Sequence, residues 1–391
     1  MASVILSAAR TPVGSFGGAL KDVSAPDLGA TAIKAALERA GIAPDAVDEV
    51  IMGCVVTAGV GQAPARQAAI KAGLPDKTPC MTINKVCGSG MKAVMLADQA
   101  IRAGDAKVVV AGGMENMSAA PFLLQNGRYG YGFGNGQVVD AMQHDGLTDA
   151  YSGEAMGVAA DLCADTCNVP RERQDEFSVL SYQRAQESVN SGRFDAEVAP
   201  VTIKGRKGDT VVDKDEEPFR TNFDKIPTLR PVFTRDGGTV TAANASTIND
   251  GAAALLIADE DWAKEHSLKP LARIVASAQH AKPPVEFTTA PIQATEKVLE
   301  KTGLTIDDID LFEVNEAFAV VSLAAQDALG IPTEKLNVNG GSVAIGHPIG
   351  ASGARILTTL LYAMEQRDAK RGLAAICIGG GEATALIVER P

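Results

Sequence analysis

ALERAGIAPDAVDEVIMG (residues 36–53) and VLEKTGLTIDDIDLFEVN (residues 298–315) carry the same features in the same order: a helix end, a glycine, a short acidic turn and an apolar strand. Gly41 falls on Gly303, Val47 on Ile309 and Asp48 on Asp310, all at an offset of 262. A second echo follows at an offset of 263, where Ser89-Gly90 and Ser352-Gly353 each open a helical pattern. Each of those helices leads to an apolar strand and a glycine run, KVVVAGGMENMS (107–118) and LAAICIGGGEATAL (373–386). Two pairs at nearly one offset predict an internal duplication of a βαβ-type unit. VVVAGG and AAICIGG are near-continuous apolar runs, the pattern of strands covered on both faces.

The chain has 391 residues, too many for one ordinary core, so two or three packed units are expected. Hydrophobic residues make up 46% and charged ones 21%, the balance of a soluble globular protein. Aromatics are 4% against 39 glycines, so the core is built mainly of Ala, Val, Ile and Leu. The segment 119–245 between the halves differs: it holds most of the aromatics, a Gly-Tyr stretch NGRYGYGFGNGQ (126–137), and a charged loop, RKGDTVVDKDEEPFRTNFDK (206–225). The expected organisation is a first half from residues 1–118 with about 246–268, an inserted loop domain at 119–245 and a second half at 269–391.

A formal charge of −12 with dispersed Lys and Arg argues against nucleic acid as a partner. MASVILSAARTP lacks the charged and long apolar segments of a secretory signal, and no apolar run is long enough to span a bilayer. The last residues, ALIVERP, carry no peroxisomal tripeptide, so a cytoplasmic protein is expected. The six cysteines show no secreted disulfide spacing; Cys163 and Cys167, four apart, read as two packed thiols rather than metal ligands.

Chemistry concentrates in four stretches. Cys87, in NKVCGSGMKAVMLADQAIRAG (84–104), precedes a helix whose N-terminus favours a thiolate, and Gly88 and Gly90 leave room for a carbonyl. It reads as a nucleophile or as a small cysteine packed in a strand–helix turn. His347, in NGGSVAIGHPIGASGAR (339–355), sits in a glycine-rich turn before the counterpart helix; a pseudo-twofold brings the two helix N-termini to one cleft and makes His347 the base for Cys87. The other three histidines, His144, His266 and His280, have polar surroundings. Cys377 ends a strand just before Gly379-Gly380-Gly381, whose N–H groups can face an anion, although a buried strand cysteine fits as well. Asn315, after the strand in EVNEAFAVV (313–321), reads as an amide that orients a water or as a helix N-cap.

Taken together, RTPVGSFGG near residue 10, KVCGSGMKAV, VAGGMENMS, NASTINDGAA, EVNEAFA, GGSVAIGHPIGASGAR and CIGGGEATA resemble the thiolase family over essentially the whole chain. Within the family the sequence is most similar to the acetoacetyl-CoA thiolases. The resemblance implies two similar α/β halves in a layered αβαβα arrangement with an inserted loop domain, and a dimer, with the Gly-Tyr loop hinting at a tetramer. It implies a Claisen condensation of two acetyl-CoA to acetoacetyl-CoA plus CoA, or the reverse, by ping-pong transfer through an acyl-cysteine. Cys87 would be acylated; His347 would take its proton and, with a water held by Asn315, form one oxyanion hole. The N–H groups of Cys87 and Gly379 would form the other, while Cys377 moves the proton of the second acetyl-CoA. Ser246 would contact the pantetheine arm, Met156, Phe233 and Phe318 would line its tunnel, and Arg220 would meet the nucleotide end. No metal or redox cofactor is implied, coenzyme A being substrate and product.

Three departures stand out: Ala155 where many biosynthetic thiolases have histidine, Phe287 where methionine is frequent, and Glu382 where Met or Gly is familiar. The first two leave open a broader-range 3-ketoacyl-CoA thiolase of fatty-acid degradation. A noncatalytic acyl-CoA- or lipid-binding relative and a condensing ketoacyl synthase are further alternatives; the intact Cys87, His347, Asn315 and Cys377 speak against both.

Overall fold

A computed structural model describes residues 2–391; Met1, which opens the expected first strand, lies outside the described residues. Nine strands follow one path: β1 (Ser3–Arg10), β2 (Glu49–Gly53), β3 (Cys80–Ile83), β4 (Val108–Asn116), β5 (Asn249–Asp259), β6 (Ala272–Ala281), β7 (Leu311–Val314), β8 (Arg371–Ile378) and β9 (Glu382–Glu389). Their order is β7-β8-β9-β6-β1-β5-β4-β2-β3, and Gly14–Ser15 pairs with β5 as a tenth strand.

The duplication is visible in this order. In the first half β2 lies parallel to β4, β4 antiparallel to β5, and β5 antiparallel to β1. In the second half β7, β8, β9 and β6 repeat those relations strand for strand. Even the irregularities recur: the register slips between Ile5 and Ser7 in β1 and between Ile274 and Ala276 in β6. The sequence echo has a physical basis. Gly41 and Gly303 end α1 (Ala25–Ala40) and α5 (Ala290–Thr302) in the left-handed region, at φ 66° and 69°. Asp48 Oδ2 accepts the N–H groups of Lys107 and Val108, and Asp310 Oδ2 those of Lys370 and Arg371, so the two aspartates pin the starts of the equivalent strands β4 and β8.

Side chains alternate between two separate cores along each strand, as the pleat requires. Val50, Met52, Val108 and Val110 face an outer core shared with α1, while Ile51, Val109 and Ala111 face inward. In the second half Phe312, Leu373 and Ala375 face an outer core, and Ala374 and Ile376 face the same inner one. The inner core holds α2 (Ser89–Ala103) and α7 (Ile349–Gln366) between the two half-sheets. Helix, sheet, paired helices, sheet and helix thus form five layers. The half-sheets are also hydrogen-bonded to each other along one edge, where Val4 and Ile5 of β1 pair with Arg273 and Ala272 of β6.

The central helices meet at the duplicated glycines. A Cβ at Gly90 would lie 2.7 Å from Ala354 N, and one at Gly353 would lie 2.4 Å from Met91 N. Only glycine allows this approach, so Gly353→Ala is expected to cost about 3 kcal/mol by overpacking against backbone. The check is a lowered denaturation midpoint; an unchanged midpoint would show that the helices can part freely.

The segment after β4 crosses to the other half. Its helices α3 (Met156–Thr166) and α4 (Arg171–Asn190) pack against α6 (Ala319–Leu329). Arg171 and Asp175 of α4 form a 2.7 Å ion pair, and Arg171 also donates to the carbonyls of Ile226 and Leu229. No helix of the described residues is long and apolar enough to cross a membrane.

Candidate active site

The chain after β3 folds back tightly to present Cys87. Asn84 Oδ1 accepts the Val86 N–H at 2.9 Å, Ser89 Oγ accepts the Lys85 N–H at 2.8 Å and donates to Val86 O at 2.7 Å. Val86 is held at φ 46°, a left-handed conformation that a β-branched residue rarely adopts. Cys87 follows, and Gly88 is the N-cap of α2. The two flanking glycines serve packing across the halves rather than room for a substrate carbonyl. A Cβ at Gly88 would meet Ile378 Cδ1 at 2.3 Å, and Gly90 is needed by the helix crossing.

Cys87, His347 and Gly379 line one cavity of about 370 Å³, as do Ala155, Met156 and Phe287. Ser246, Phe233 and Phe318 line it too, the two rings meeting edge to face at 6.2 Å between centroids. Ser246 and Phe233 also border an adjoining cavity of about 440 Å³ that reaches the exposed Arg220. Nine of the expected residues therefore share one cavity, and a tenth lies at its extension.

The resting thiol is neutral, which corrects the expectation from the helix terminus. Burial pushes Cys87 up to about 11; the N–H groups of Gly379 and of Cys87 itself pull it partly back, and the nearby Glu115 carboxyl adds to the rise. Desolvation outweighs the helix end here. Both N–H groups favour charge on the sulfur, which makes them the backbone groups able to stabilise negative charge at the reacting atom.

His347 is fixed as a base by its neighbours. Its backbone N–H donates to Asn249 Oδ1 at 2.9 Å. Ser352 Oγ uses its one proton on Pro348 O, at 2.8 Å, so it accepts from His347 Nδ1 at 2.6 Å. Nδ1 thus carries the hydrogen, leaving Nε2 a bare acceptor without a protein partner. Burial, with the Arg355 charge, lowers the imidazole to about 3 and keeps it neutral.

Cys377 and Asn315 are buried and are not among the residues that line the cavity. Cys377 is fully buried, and its thiol is raised well above the usual range by burial, then by the charge that Cys87 would carry. Asn315 does not cap a helix, because α6 begins only at Ala319. Its Oδ1 accepts from Ser342 Oγ at 2.7 Å, Ser342 Oγ in turn accepts from Arg355 Nη2 at 2.7 Å, and Asn315 Nδ2 has no protein partner. The orientation of this amide is set by Arg355 through Ser342.

The sequence reading missed these supports: Ser352, Ser342, Arg355 and Glu115. Glu115 Oε2 accepts the N–H groups of Val55 and Gly350 at 3.0 and 2.9 Å, while Oε1 accepts that of Val56 at 3.1 Å. Burial raises this carboxyl to about 7 against those bonds. VAGGMENMS and GGSVAIGHPIGASGAR contained the residues, but only the fold brings Glu115 onto the turn that follows His347. The departure Glu382 also finds a partner, Lys85, two residues before Cys87. That ion pair ties the nucleophile's loop to the loop of Gly379.

A neutral thiol, a bare imidazole nitrogen, two converging N–H groups and a second thiol suit acyl transfer through sulfur. The matching family models are the thiolase N-terminal domain, over residues 3–261, and the thiolase C-terminal domain, over residues 268–390. The chain belongs to the thiolase family. It is 55% identical over 389 residues to an acetyl-CoA acetyltransferase of Cupriavidus necator, covering 99% of each chain. It is 52% identical to an acetyl-CoA acetyltransferase of Syntrophomonas wolfei, over 99% of this chain and 98% of that one. A protein of the same name from Schizosaccharomyces pombe is 49% identical, again over 99% and 98%.

Proposed function

We infer that the protein is an acetyl-CoA C-acetyltransferase: it condenses two acetyl-CoA to acetoacetyl-CoA and CoA, or runs the reverse thiolysis. The observation that carries this reading is the convergence of the Cys87 thiol, the Gly379 N–H and His347 in one cavity, in a chain whose full-length relatives bear that name.

With the thiol near 11 and the imidazole near 3, proton transfer accompanies attack rather than preceding it. Cys87 Sγ bonds to the acetyl carbonyl carbon as His347 Nε2 takes its proton. The oxygen's charge falls to the N–H groups of Cys87 and Gly379. The carbon–sulfur bond to CoA breaks, and CoA leaves with the proton from His347. For the second acetyl-CoA, Cys377 passes its own proton to His347 Nε2 and takes a methyl proton, the carbanion attacks the acetyl carbon, and Cys87 leaves with the proton from His347 as the new carbon–carbon bond forms. His347 and a water on the free Nδ2 of Asn315 hold the enolate oxygen.

The buried pair sets the order of events. Burial first, and then the charge that an ionised Cys87 would carry, keep Cys377 protonated; acetylation of Cys87 removes the second of these. A thioester activates its own α-carbon, so the cycle runs without metal or redox cofactor. The pantetheine arm passes Ser246, Phe233, Phe318 and Met156, and the nucleotide end meets Arg220.

The working form is a homo-oligomer, a dimer or tetramer. Support comes from the β3 edge strand, with Met81 45% exposed, and from the Gly-Tyr loop, with Tyr129 94% exposed. The six cysteines are free, which suits the reducing cytoplasm.

Brief incubation with acetyl-CoA alone, followed by peptide mass spectrometry, tests the reading. An acetyl group on the Cys87 peptide with matching CoA release is the expected result. A folded protein with neither product would overturn it.

A further inference from the structure

Arg355 is buried with most of its hydrogen-bonding capacity unused. It lies 1% exposed in the second turn of α7, and neither its Nε nor its Nη1 has a protein partner. Helix packing does not demand a buried cation here: Lys92, its counterpart on α2 at the offset of 263, is only half-buried. Burying a guanidinium is costly unless charges and hydrogen bonds offset it. Burial opposes its charge most, and the carboxyls of Glu313, Glu197 and Glu316 favour it.

The one bond that Nη2 makes, to Ser342 Oγ, fixes a direction. An arginine can only donate, so it takes a lone pair of that oxygen and leaves the hydroxyl one proton to give. The proton goes to Asn315 Oδ1 at 2.7 Å. Turning the amide over would bring Nδ2 to Ser342, strand the buried hydroxyl proton, and point the carbonyl end of the amide away from the guanidinium charge. The backbone of Asn315 cannot turn with it, because its N–H donates to Ala375 O at 2.9 Å. The end of β7, the short helix Ser342–Ile345 and α7 together decide which end of one amide points away from Ser342.

We propose that Ser342, directed by Arg355, is a positioning residue for carbon–carbon bond formation: it keeps Asn315 Nδ2, rather than Oδ1, toward the water that holds the enolate oxygen. The inference rests on the acetyltransferase reading above. A water on Nδ2 has a lone pair engaged and both hydrogens free, one of them for the enolate. A water on Oδ1 would spend a hydrogen on the amide, and the negative end of that dipole would face the developing charge. Acetylation of Cys87 does not draw on this relay, since its oxygen is held by the N–H groups of Cys87 and Gly379. The effect therefore belongs to the second half-reaction.

Arg355 also acts on His347 directly through its charge, so the test substitutes the uncharged Ser342. Rapid quench measures two rates: acetylation of Cys87 by acetyl-CoA, and condensation of the acetyl-enzyme with acetyl-CoA. Ser342→Ala should lower the ratio of condensation to acetylation roughly 10–100-fold, the range for a group that orients another. Ser342→Cys keeps the shape with a weaker donor and should fall between Ser342→Ala and the wild type. In an Asn315→Ala background, Ser342→Ala should lower the ratio further by less than about threefold, because its effect passes through the amide. A ratio unmoved by Ser342→Ala or by Asn315→Ala overturns the proposal, as does a full additional loss in the double variant. Equal loss of both half-reactions, the mark of a purely structural role, overturns it too. Absence of acetylation in the wild type would instead overturn the acetyltransferase reading, and this proposal with it.

Discussion

Cys87→Ala is expected to remove acetyl transfer, with CoA release from acetyl-CoA falling on the order of 10⁴-fold or more. The structure offers no substitute. Cys377 is fully buried with its thiol held protonated, and Cys163, also buried, lies in the core of the other half. The protein should still fold, because Cys87 precedes the Gly88 N-cap and makes no hydrogen bond that the helix needs. The measurement is the acetylated-peptide assay on both proteins, with circular dichroism as the fold control. Undiminished CoA release with acetyl on another residue would take the nucleophile's role away from Cys87.

Cys377→Ser is expected to split the reaction in two. A serine hydroxyl is a far weaker acid than a thiol, so it is a poor proton carrier at the second step, where general acid–base groups contribute roughly 10²–10⁴-fold. The first step does not use Cys377. Acetylation of Cys87 should therefore stay within a few-fold of the wild type while condensation and thiolysis fall about a thousandfold. Rapid-quench measurement of each half-reaction decides it. Equal loss in both would mean that Cys377 supports the structure around Cys87 rather than moves a proton.

Much of the frame could be read from single residues. Gly41 with Gly303 and Asp48 with Asp310 mark local backbone requirements, a left-handed helix end and a pinned strand start, and such requirements leave residue-level traces. The same logic exposed Cys87 and His347, because turns next to helices need particular residues. The two-residue link between β1 and β6 left no trace, since any backbone can supply those hydrogen bonds. The Cys87 thiol was misread for a related reason: a helix end is local and visible, whereas desolvation comes from residues hundreds of positions away. Ser342 and Arg355 were invisible for the same cause. Their motif was plain, but their partner Asn315 belongs to another strand end.

A duplicated frame has two equivalent places for a reaction centre. At the offset of 263, Cys87 corresponds to Gly350 and Cys377 to Met114. The second place is closed: a Cβ at Gly350 would lie 2.5 Å from Glu115 Oε2, which takes the Gly350 N–H, and a Cβ at Gly113 would lie 2.0 Å from Gly350 O. No thiol fits there. The closed copy braces the open one, because Gly350 lies in the first turn of the helix that carries Ser352, the residue that decides which nitrogen of His347 is bare.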